Sequence, residues 1–306
     1  MSDIVVLGSI NMDLVVRSPQ MPRPGETLRG SGFGTVAGGK GANQAAAAAH
    51  LGASVQMIGC VGQDAFGQEL LENLTNQGVD VSCIRMTQDE ASGNAMIIVD
   101  DKGENSIVVA PGANYALQAA DVARNRQSLK QAKLLVMQLE IPLIVAAEAI
   151  YAAKEIGLPI VLNAAPATKI PEELLRGICV IVNESEAETI TGIAVHSIDD
   201  AHQVCRYLMN LGAKTAIVTL GPNGAAFADA DTSGHVTGIK VKAVDTTGAG
   251  DTFVGAYSVA VLEGRTLYEA VAYANCAGAL ATTVLGAQTS IPQRADVDTL
   301  YEKIKN

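Results

Sequence analysis

Short apolar runs alternate with longer segments of helical spacing through most of the chain. Five runs rich in β-branched residues stand out, at 4–7, 134–137, 160–162, 180–182 and 216–219. They do not alternate apolar with polar positions, which indicates strands buried on both faces of a parallel sheet. Segments 142–156 and 198–211 carry apolar residues three and four positions apart and end near a glycine, as helices do. The pattern predicts a doubly wound α/β fold.

Two stretches interrupt this alternation. Residues 12–36 contain three prolines and a glycine-rich tail, and residues 93–110 hold two apolar runs around a polar turn. The second stretch is typical of a β-hairpin. Because neither belongs to a βα unit, we expect them to assemble a small antiparallel lid over a cleft in the main sheet, with ordinary edge hairpins as the alternative. No boundary between independent units is evident, so residues 1–306 are predicted to form a single domain.

Composition narrows the class of protein further. The 306 residues are 48% hydrophobic, enough to bury a large core, and carry a net charge of −11, which argues against a nucleic-acid partner. Five scattered cysteines form no CxxC pair, which favours a reducing compartment. The amino terminus lacks the features of a signal peptide, and no apolar run is long enough to cross a bilayer. We therefore expect a soluble, cytoplasmic protein without a membrane partner.

The string DTTGAGD at 245–251 carries the sharpest chemical signal. It precedes a helical segment that extends to about residue 262. Unhindered amides at Gly248, Ala249 and Gly250 can converge on an anion there, aided by the positive end of the helix dipole. Asp251 would then accept the proton of a hydroxyl that attacks a phosphoryl group, unless it only stabilises the helix N-terminus. The string matches neither a dinucleotide-binding fingerprint nor a Walker A loop.

Polar residues follow other predicted strands at their carboxyl ends, where open α/β sheets bind ligands. Asn11 and Asp13 come after the first strand, Asn43 ends the glycine-rich string 38–43, and Glu140 lies just past the strand at 134–137. Amide and carboxylate groups together can pair the donors and acceptors of sugar hydroxyls. Each residue taken alone also has a plain interpretation as part of a turn.

A third group of residues suits a nucleotide and its metal. Asn183 and Glu186 end one strand and begin a helix, and their oxygens suit Mg²⁺ held mainly through water and phosphates, although a solvated acidic first turn is the alternative. The string TLGPNG at 219–224 forms a Gly/Pro turn whose backbone can approach a nucleotide. None of the four histidines falls in these motifs, which argues against a zinc centre or a His-based triad.

Seven motifs, GSINMD, GGKGANQ, MQLE, NESEAE, TLGPNG, DTTGAGD and LGAQTSIP, occur in this order. Together they resemble the PfkB, or ribokinase-like, family of carbohydrate kinases across nearly the whole chain. The resemblance implies a three-layer αβα sandwich with a mostly parallel sheet and a small β lid, and commonly a homodimer joined lid to lid. It also implies ATP-dependent phosphorylation of ribose at its 5-hydroxyl, with Asp251 as the base.

The resemblance further implies roles for individual residues. Sugar would be held by Asn11, Asp13, Gly39, Lys40, Gly41, Asn43 and Glu140. Nucleotide contacts would come from Asn183, Thr219, Leu220, Gly221, Pro222, Asn223, Gly224, Gly250 and Asn275. Glu186 would act indirectly on Mg²⁺, and a K⁺ activator would be held by Asp245, Thr247, Ala281, Val284, Gly286 and Ser290.

The sequence departs from the family pattern at two places, and alternatives remain. Residues 163–166 read Asn-Ala-Ala-Pro where the family more often has Asn-Pro-Ala-Pro, and Asn275 replaces a frequent histidine. Relatives phosphorylate deoxyribose, fructose or nucleosides, but an unpaired buried polar group costs about 1–3 kcal/mol, so the polar set favours ribose. A non-catalytic sugar-binding regulator would not need Asp251 and its glycine loop. An NAD-dependent oxidoreductase would need a glycine-rich turn after the first strand, where only Gly8 stands.

Overall fold

The computed structural model describes residues 2–305, and in this range it contains two β-sheets and eleven α-helices. The strands are β1 (Ile4–Leu7), β2 (Asn11–Arg17), β3 (Gly32–Gly38), β4 (Val55–Gly62), β5 (Val79–Thr87), β6 (Gly93–Val99), β7 (Asn105–Ala110), β8 (Leu134–Met137), β9 (Ile160–Asn163), β10 (Cys179–Val182), β11 (Thr215–Thr219), β12 (Ala225–Asp229) and β13 (Ser233–Val236). The helices are α1 (Lys40–His50), α2 (Ala65–Asn76), α3 (Ala119–Arg124), α4 (Arg126–Gln131), α5 (Leu143–Glu155), α6 (Glu172–Leu175), α7 (Glu184–Thr191), α8 (Ile198–Asn210), α9 (Ala249–Leu262), α10 (Leu267–Ala281) and α11 (Arg294–Lys305).

The larger sheet has nine strands in the order β13-β12-β11-β10-β9-β8-β1-β4-β5. Its strands from β11 to β5 run parallel, and the last two, β12 and β13, are antiparallel. The predicted α/β sandwich with a mostly parallel sheet is confirmed. The chain builds outward from β1 in both directions, to β4 and β5 on one side and to β8 through β11 on the other. The resulting switch point between β1 and β8 is where such sheets bind ligands.

Helices cover both faces of this sheet and enclose two separate cores. Successive residues of β1 divide between them, since Val5 and Leu7 face one core and Ile4 and Val6 face the other. Helices α3 to α8 pack on the first core, and α1, α2, α9, α10 and α11 pack on the second. Both faces of the strand are therefore apolar, which explains why the strand sequences show no polar alternation. The parallel strands β4 and β5, which the sequence patterns did not single out, complete the sheet.

The smaller sheet has four strands in the order β3-β2-β6-β7. Its two outer pairs are antiparallel, whereas β2 and β6 pair in parallel through seven residues, from Asn11 opposite Gly93 to Arg17 opposite Val99. The expectation of a wholly antiparallel sheet was therefore wrong for the central pair. The reason is that two separate chain segments each supply an antiparallel pair, and the two pairs join side by side with their inner strands in the same direction.

The small sheet begins at the carboxyl edge of the large one, because Asn11 opens β2 only four residues after β1 ends. Several of its apolar side chains are exposed, including Phe33, Met96 and Val108. No helix within residues 2–305 combines the length and apolar character needed to cross a membrane.

Candidate active site

The first turn of α9 places Asp251 in the interior, 8% exposed, at the carboxyl edge of the large sheet. Its Oδ2 accepts a hydrogen bond from Asn43 Nδ2 at 2.8 Å, and its Oδ1 accepts one from Gln44 Nε2 at 3.0 Å. Burial raises the pKa of Asp251, while the charge of Lys40 and the two amide donors oppose that rise. Asp251 is thus a buried carboxylate with specific partners, unlike a solvated helix-capping residue.

The glycine loop before Asp251 begins α9 without a side-chain cap. Gly248 is the N-cap in the left-handed region, with φ of 74°, and a Cβ there would lie 3.0 Å from Ala287 Cα. Gly250 borders open space. The Ala249 amide donates to Thr246 O at 3.2 Å, so it closes the preceding turn. The anion contact expected from Gly248, Ala249 and Gly250 stays a prediction, and in this structure the Ala249 amide already has a backbone partner.

Glycines bring the start of α1 against the segment after β1. A Cβ at Gly39 would lie 2.7 Å from Asn11 N, and one at Gly41 would lie 2.6 Å from Ser9 N. These distances are too short for any side chain, so only glycine allows the two backbones to meet. Gly39 also has φ of 90°, which disfavours other residues. The close approach sets Asn11 beside Lys40 at the mouth of the site.

Polar contacts fix the residues expected to hold a sugar. Glu140 Oε2 accepts hydrogen bonds from Ser9 Oγ at 2.6 Å and from the Lys40 amide at 3.2 Å. Asn11 Oδ1 accepts one from Asn114 Nδ2 at 2.7 Å. The pKa of Asp13 is raised to about 7, first by burial and then by the charges of Glu140 and Asp251. These groups offer fixed acceptors at the switch point of the sheet.

Lys40 supplies the positive charge among these acidic side chains. Its pKa is raised by the charges of Asp251, Glu140 and Glu186, of which Asp251 has the largest effect. Glu186 belongs to the opposite part of the site, at the start of α7. The ammonium group therefore lies within electrostatic reach of the side chains expected to hold the sugar and of those expected to contact the nucleotide. A cation in this position can neutralise charge on a group moving between the two.

Most residues expected to contact nucleotide follow the ends of β10 and β11, and Asn275 lies in the middle of α10. Asn183 and Glu186 form a reciprocal capping box, in which Asn183 Oδ1 accepts from the Glu186 amide and Glu186 Oε2 accepts from the Asn183 amide, both at 2.9 Å. Burial raises the pKa of Glu186, and Lys40 opposes that rise. The two residues are therefore held by reciprocal hydrogen bonds at the start of α7, and Glu186 is buried rather than solvated.

The turn after β11 and Asn275 on α10 both approach the carbonyl oxygen of Val236. A Cβ at Gly224 would lie 1.9 Å from Val236 O, and Asn275 Nδ2 donates to the same oxygen at 3.4 Å. The segment Gly221–Asn223 is a short 3₁₀ helix, and His235 hydrogen-bonds to Asn223 O at 2.7 Å. Thr219, Leu220 and Pro222 complete the turn. The structure thus brings Gly224 and Asn275 together, although they lie about fifty positions apart.

The residues expected to hold K⁺ lie in two adjoining loops. Asp245 Oδ2 accepts from the Gly286 amide at 2.8 Å, and its Oδ1 accepts from Thr247 Oγ1 at 2.7 Å. The loop from Ala281 through Val284 to Ser290 follows α10 directly. Ser290 is buried and donates to Ala287 O, next to Gly248. The atoms available as metal ligands are carbonyl and carboxylate oxygens, and oxygen ligands suit a hard monovalent cation.

Several buried amides at the site were not assigned a role from the sequence. Gln44 and Gln138 are fully buried, Gln288 is 3% exposed, and Asn163 is 8% exposed. Each lies within or beside a motif noted above. The signal that could have found Gln44 is its position in an otherwise alanine-rich helix, because a glutamine with no route to solvent needs a polar partner.

The comparisons with known proteins agree with this arrangement. The model of the pfkB family carbohydrate kinases matches residues 1–294, and the chain belongs to that family. It is 41% identical over 294 residues to the ribokinase of Haemophilus influenzae, covering 96% of each chain. It is also 37% identical over 292 residues to the deoxyribokinase of Salmonella typhimurium, covering 95% of each. The solved structure of Arabidopsis thaliana ribokinase complexed with ribose and ATP has a TM-score of 0.93 and 34% identity, covering 98% of this chain and 99% of that one.

Proposed function

We propose that this carbohydrate kinase transfers the γ-phosphoryl group of ATP to the 5-hydroxyl of ribose. The observation that carries the proposal is the position of Asp251. It lies at the amino end of α9 beside the glycine loop, hydrogen-bonded to Asn43 and within electrostatic reach of both Glu140 and Glu186. A carboxylate there can contact a hydroxyl of a bound sugar and the phosphoryl group at the same time. The ribose and ATP bound by the Arabidopsis thaliana relative support this choice of substrates.

The residues divide the reaction between them. Asn11, Asp13, Asn43 and Glu140 would orient the sugar, together with the backbone at Gly39 and Gly41. Asp251 accepts the proton of the 5-hydroxyl as that oxygen forms its bond to the γ-phosphorus. The bond between the γ-phosphorus and the bridging oxygen breaks, and ADP leaves with the electron pair. Lys40 and the amide of Gly250 stabilise the negative charge on the phosphoryl oxygens during transfer.

The proposal also includes two metal ions, Mg²⁺ and K⁺. In residues 2–305 no group of three or more His, Cys, Asp or Glu side chains is arranged to hold a metal by itself. The carboxylate of Glu186 would act through water on Mg²⁺ that is held mainly by nucleotide phosphates and water. Bound Mg²⁺ would neutralise phosphate charge. The loops containing Asp245 and Gly286 would hold K⁺ next to the glycine loop, where the cation would fix the conformation of the Gly248 turn.

We also propose a homodimer in which the small sheets of two copies cover each other. Phe33, Met96 and Val108 are 72%, 57% and 69% exposed, although apolar patches on strands are usually buried in an interface. A second copy of the same sheet would cover them symmetrically. The expectation of a cytoplasmic location stays a prediction.

Turnover of several sugars tests the catalytic proposal directly. ADP release would be measured with ribose, deoxyribose, fructose and nucleosides, with and without K⁺. We expect ribose to give the highest kcat/KM, and Asp251→Asn to lower kcat by about 10²–10⁴-fold, because the general base and its charge are lost.

The matched control is Asp199→Asn, since Asp199 is an exposed carboxylate in the first turn of α8 with no site contact. We expect its turnover to stay at the wild-type level. Equal losses in both variants would assign Asp251 only a helix-capping role. A preference for deoxyribose would keep the catalytic proposal and replace the substrate. Sugar binding without any turnover would favour the non-catalytic regulator.

A further inference from the structure

Buried amide side chains surround Asp251 in the interior of the protein. Three glutamines belong to this group. Gln44 and Gln138 are 0% exposed, and Gln288 is 3% exposed. A buried amide stabilises a fold no better than a well-packed apolar side chain unless its hydrogen bonds are complete. A group of them next to one carboxylate therefore calls for an explanation beyond packing.

One chain of hydrogen bonds leads from the protein surface to Asp251 Oδ2. Asn73 Nδ2 donates to Gln288 Oε1 at 2.5 Å, and Gln288 Nε2 donates to Asn43 Oδ1 at 3.1 Å. Asn43 Nδ2 then donates to Asp251 at 2.8 Å. Three amides from α2, the loop before α11 and α1 thus connect in series to one oxygen of the carboxylate.

A second chain ends on Asp251 Oδ1. Gln138 Nε2 donates to Gln44 Oε1 at 2.6 Å, and Gln44 Nε2 donates to Asp251 at 3.0 Å. Gln44 Nε2 also donates to Asn163 Oδ1 at 3.0 Å, and Asn163 in turn donates to Ile181 O. Both hydrogens of the Gln44 amide are therefore used, which holds its side chain in one orientation.

The direction of every hydrogen bond follows from the charge at the end of each chain. An ionised carboxylate only accepts, so Asn43 and Gln44 must turn their NH₂ groups toward Asp251. Their carbonyl oxygens then face outward, and only a donor can meet them. Gln288 and Gln138 must supply those donors. All the amide dipoles in both chains consequently point their positive ends toward Asp251, an arrangement in which each bond polarises the next.

One atom in the group makes no hydrogen bond. Gln138 Oε1 is buried and has no hydrogen-bond partner within the described residues 2–305. An unpaired buried acceptor costs about 1–3 kcal/mol. Replacing this glutamine with an apolar residue would remove that cost but would leave Gln44 Oε1 without its donor, so the residue is retained at no clear gain in stability.

We propose that Gln288 and Gln138 are positioning residues, which act through Asn43 and Gln44 to keep Asp251 ionised and in one orientation before the sugar hydroxyl arrives. The proposal rests on the proposed role of Asp251 as the base. The environment makes such help necessary, because the carboxylates of Asp13 on β2, Glu140 after β8 and Glu186 on α7 all oppose ionisation of Asp251. Lys40 on α1 is the cation that faces it.

The variants Gln288→Met and Gln138→Met test the two chains. Methionine has nearly the length of glutamine but neither donates to nor strongly accepts from an amide. Weaker donation to Asp251 favours its protonated form, so the acid limb of the kcat profile should move to higher pH. We expect a shift of about one pH unit, the size that weakening one hydrogen bond to a charged group produces. Above this limb, kcat should recover most of its wild-type value, and the KM for sugar should change less than kcat at low pH.

The matched control is Gln68→Met. Gln68 is an exposed glutamine on α2 whose side chain donates to Glu72 and not to a member of either chain. Its pH profile should coincide with that of the wild type. If either buried variant fails to fold, Asn73→Ala interrupts the first chain at its half-buried outer end and should give a smaller shift in the same direction.

A titration of the carboxyl carbon by ¹³C NMR in protein labelled at aspartate gives a readout that needs no turnover. Asp251→Asn identifies the Asp251 signal, and the midpoint should lie higher in both methionine variants than in the wild type. If the protein phosphorylates no sugar but the midpoint still shifts, the proposed function fails and the positioning role stands. If the enzyme is active and both the midpoint and the acid limb are unchanged in both variants, the positioning role is overturned.

Discussion

At the scale of single residues, the site depends on carboxylates that are hard to ionise. Asp13 is the clearest case, with a pKa raised from about 3.8 to about 7 by burial and by the charges of Glu140 and Asp251. The folded protein therefore holds a proton on Asp13 under conditions in which the unfolded chain has released it. Stability is sacrificed at this position, as is typical of functional residues.

This cost should be visible as a pH-dependent effect of Asp13→Asn. Between pH 3.8 and 7 the unfolded chain binds fewer protons than the folded one, so stability contributed by Asp13 falls as the pH rises through this window. Asparagine is neutral throughout. We therefore expect the variant to have a higher Tm than the wild type at pH 8 and a much smaller difference at pH 5, measured by thermal unfolding.

The control for this measurement is Asp101→Asn, because Asp101 lies in the exposed turn between β6 and β7. Its Tm difference should not depend on pH. A Tm difference for Asp13→Asn that is the same at both pH values would contradict a raised pKa of Asp13 in the folded protein. Sugar affinity of Asp13→Asn should fall at the same time, since one acceptor oxygen is replaced by an NH₂ donor.

At the scale of elements, the packing of α1 against α9 brings the amides to Asp251. The contact is made by small residues, since a Cβ at Gly255 would lie 2.6 Å from Ala47 Cβ and 3.0 Å from both Ala48 N and Gln44 O. The alanine run of α1 and the glycine of α9 allow this close approach. Because Asn43 and Gln44 belong to α1 and Asp251 belongs to α9, the distance between the helices sets the hydrogen bonds of Asp251.

The substitution Gly255→Ala should separate these two helices. The added methyl group meets backbone atoms that cannot move aside independently, so we expect destabilisation of about 1–3 kcal/mol in denaturant unfolding. We also expect kcat to fall, because the Asn43 and Gln44 hydrogen bonds to Asp251 lengthen.

Gly278→Ala on α10 is the matched helical control. A Cβ there would lie 3.3 Å from Ala249 O and 3.7 Å from Phe253 Cβ, which requires only a small adjustment. Alanine is also favoured over glycine inside helices by about 0.5–1 kcal/mol. Equal losses of stability in the two variants would show that the contact between α1 and α9 is not specially tight.

At the scale of the whole molecule, the small sheet joins the second core through Met12 but exposes apolar side chains elsewhere. All six residues of β7 are exposed, among them Val108 at 69%. An apolar strand at a sheet edge invites association with another chain. Asn11 and Asp13, which are expected to hold the sugar, belong to β2 of this sheet. Association of two sheets would therefore also affect the proposed sugar site.

The substitution Val108→Asp tests the proposed dimer. A charge in the middle of the interface should separate the copies, and we expect a mass near that of one chain by light scattering coupled to size-exclusion chromatography. Ile144→Asp on α5 is the control, because Ile144 is 76% exposed and lies away from the small sheet. The dimer proposal is excluded if the wild type is already monomeric, or if both variants keep the wild-type mass.

The sequence alone determined most of the local structure. The apolar runs predicted β1 and β8 with the observed bounds and β9, β10 and β11 to within one residue, and helical spacing predicted α5 and α8 to within one residue at each end. These predictions succeed because burial on both faces of a strand, or on one face of a helix, leaves a periodic trace in the chain. The position of Asp251 at a helix start was equally evident, since glycines before a helical segment are a local feature.

Only the tertiary structure decided how distant segments meet. The parallel pairing of β2 with β6, the hydrogen bond from Asn275 to Val236 O, and the amide chains from Asn73 and Gln138 to Asp251 all join residues that are far apart in sequence. A glutamine that will orient a carboxylate looks in the sequence like one that will face water. Periodicity records how deeply a residue is buried but not which partner it will meet there, because the partner is chosen by the packing of the complete sheet and its helices.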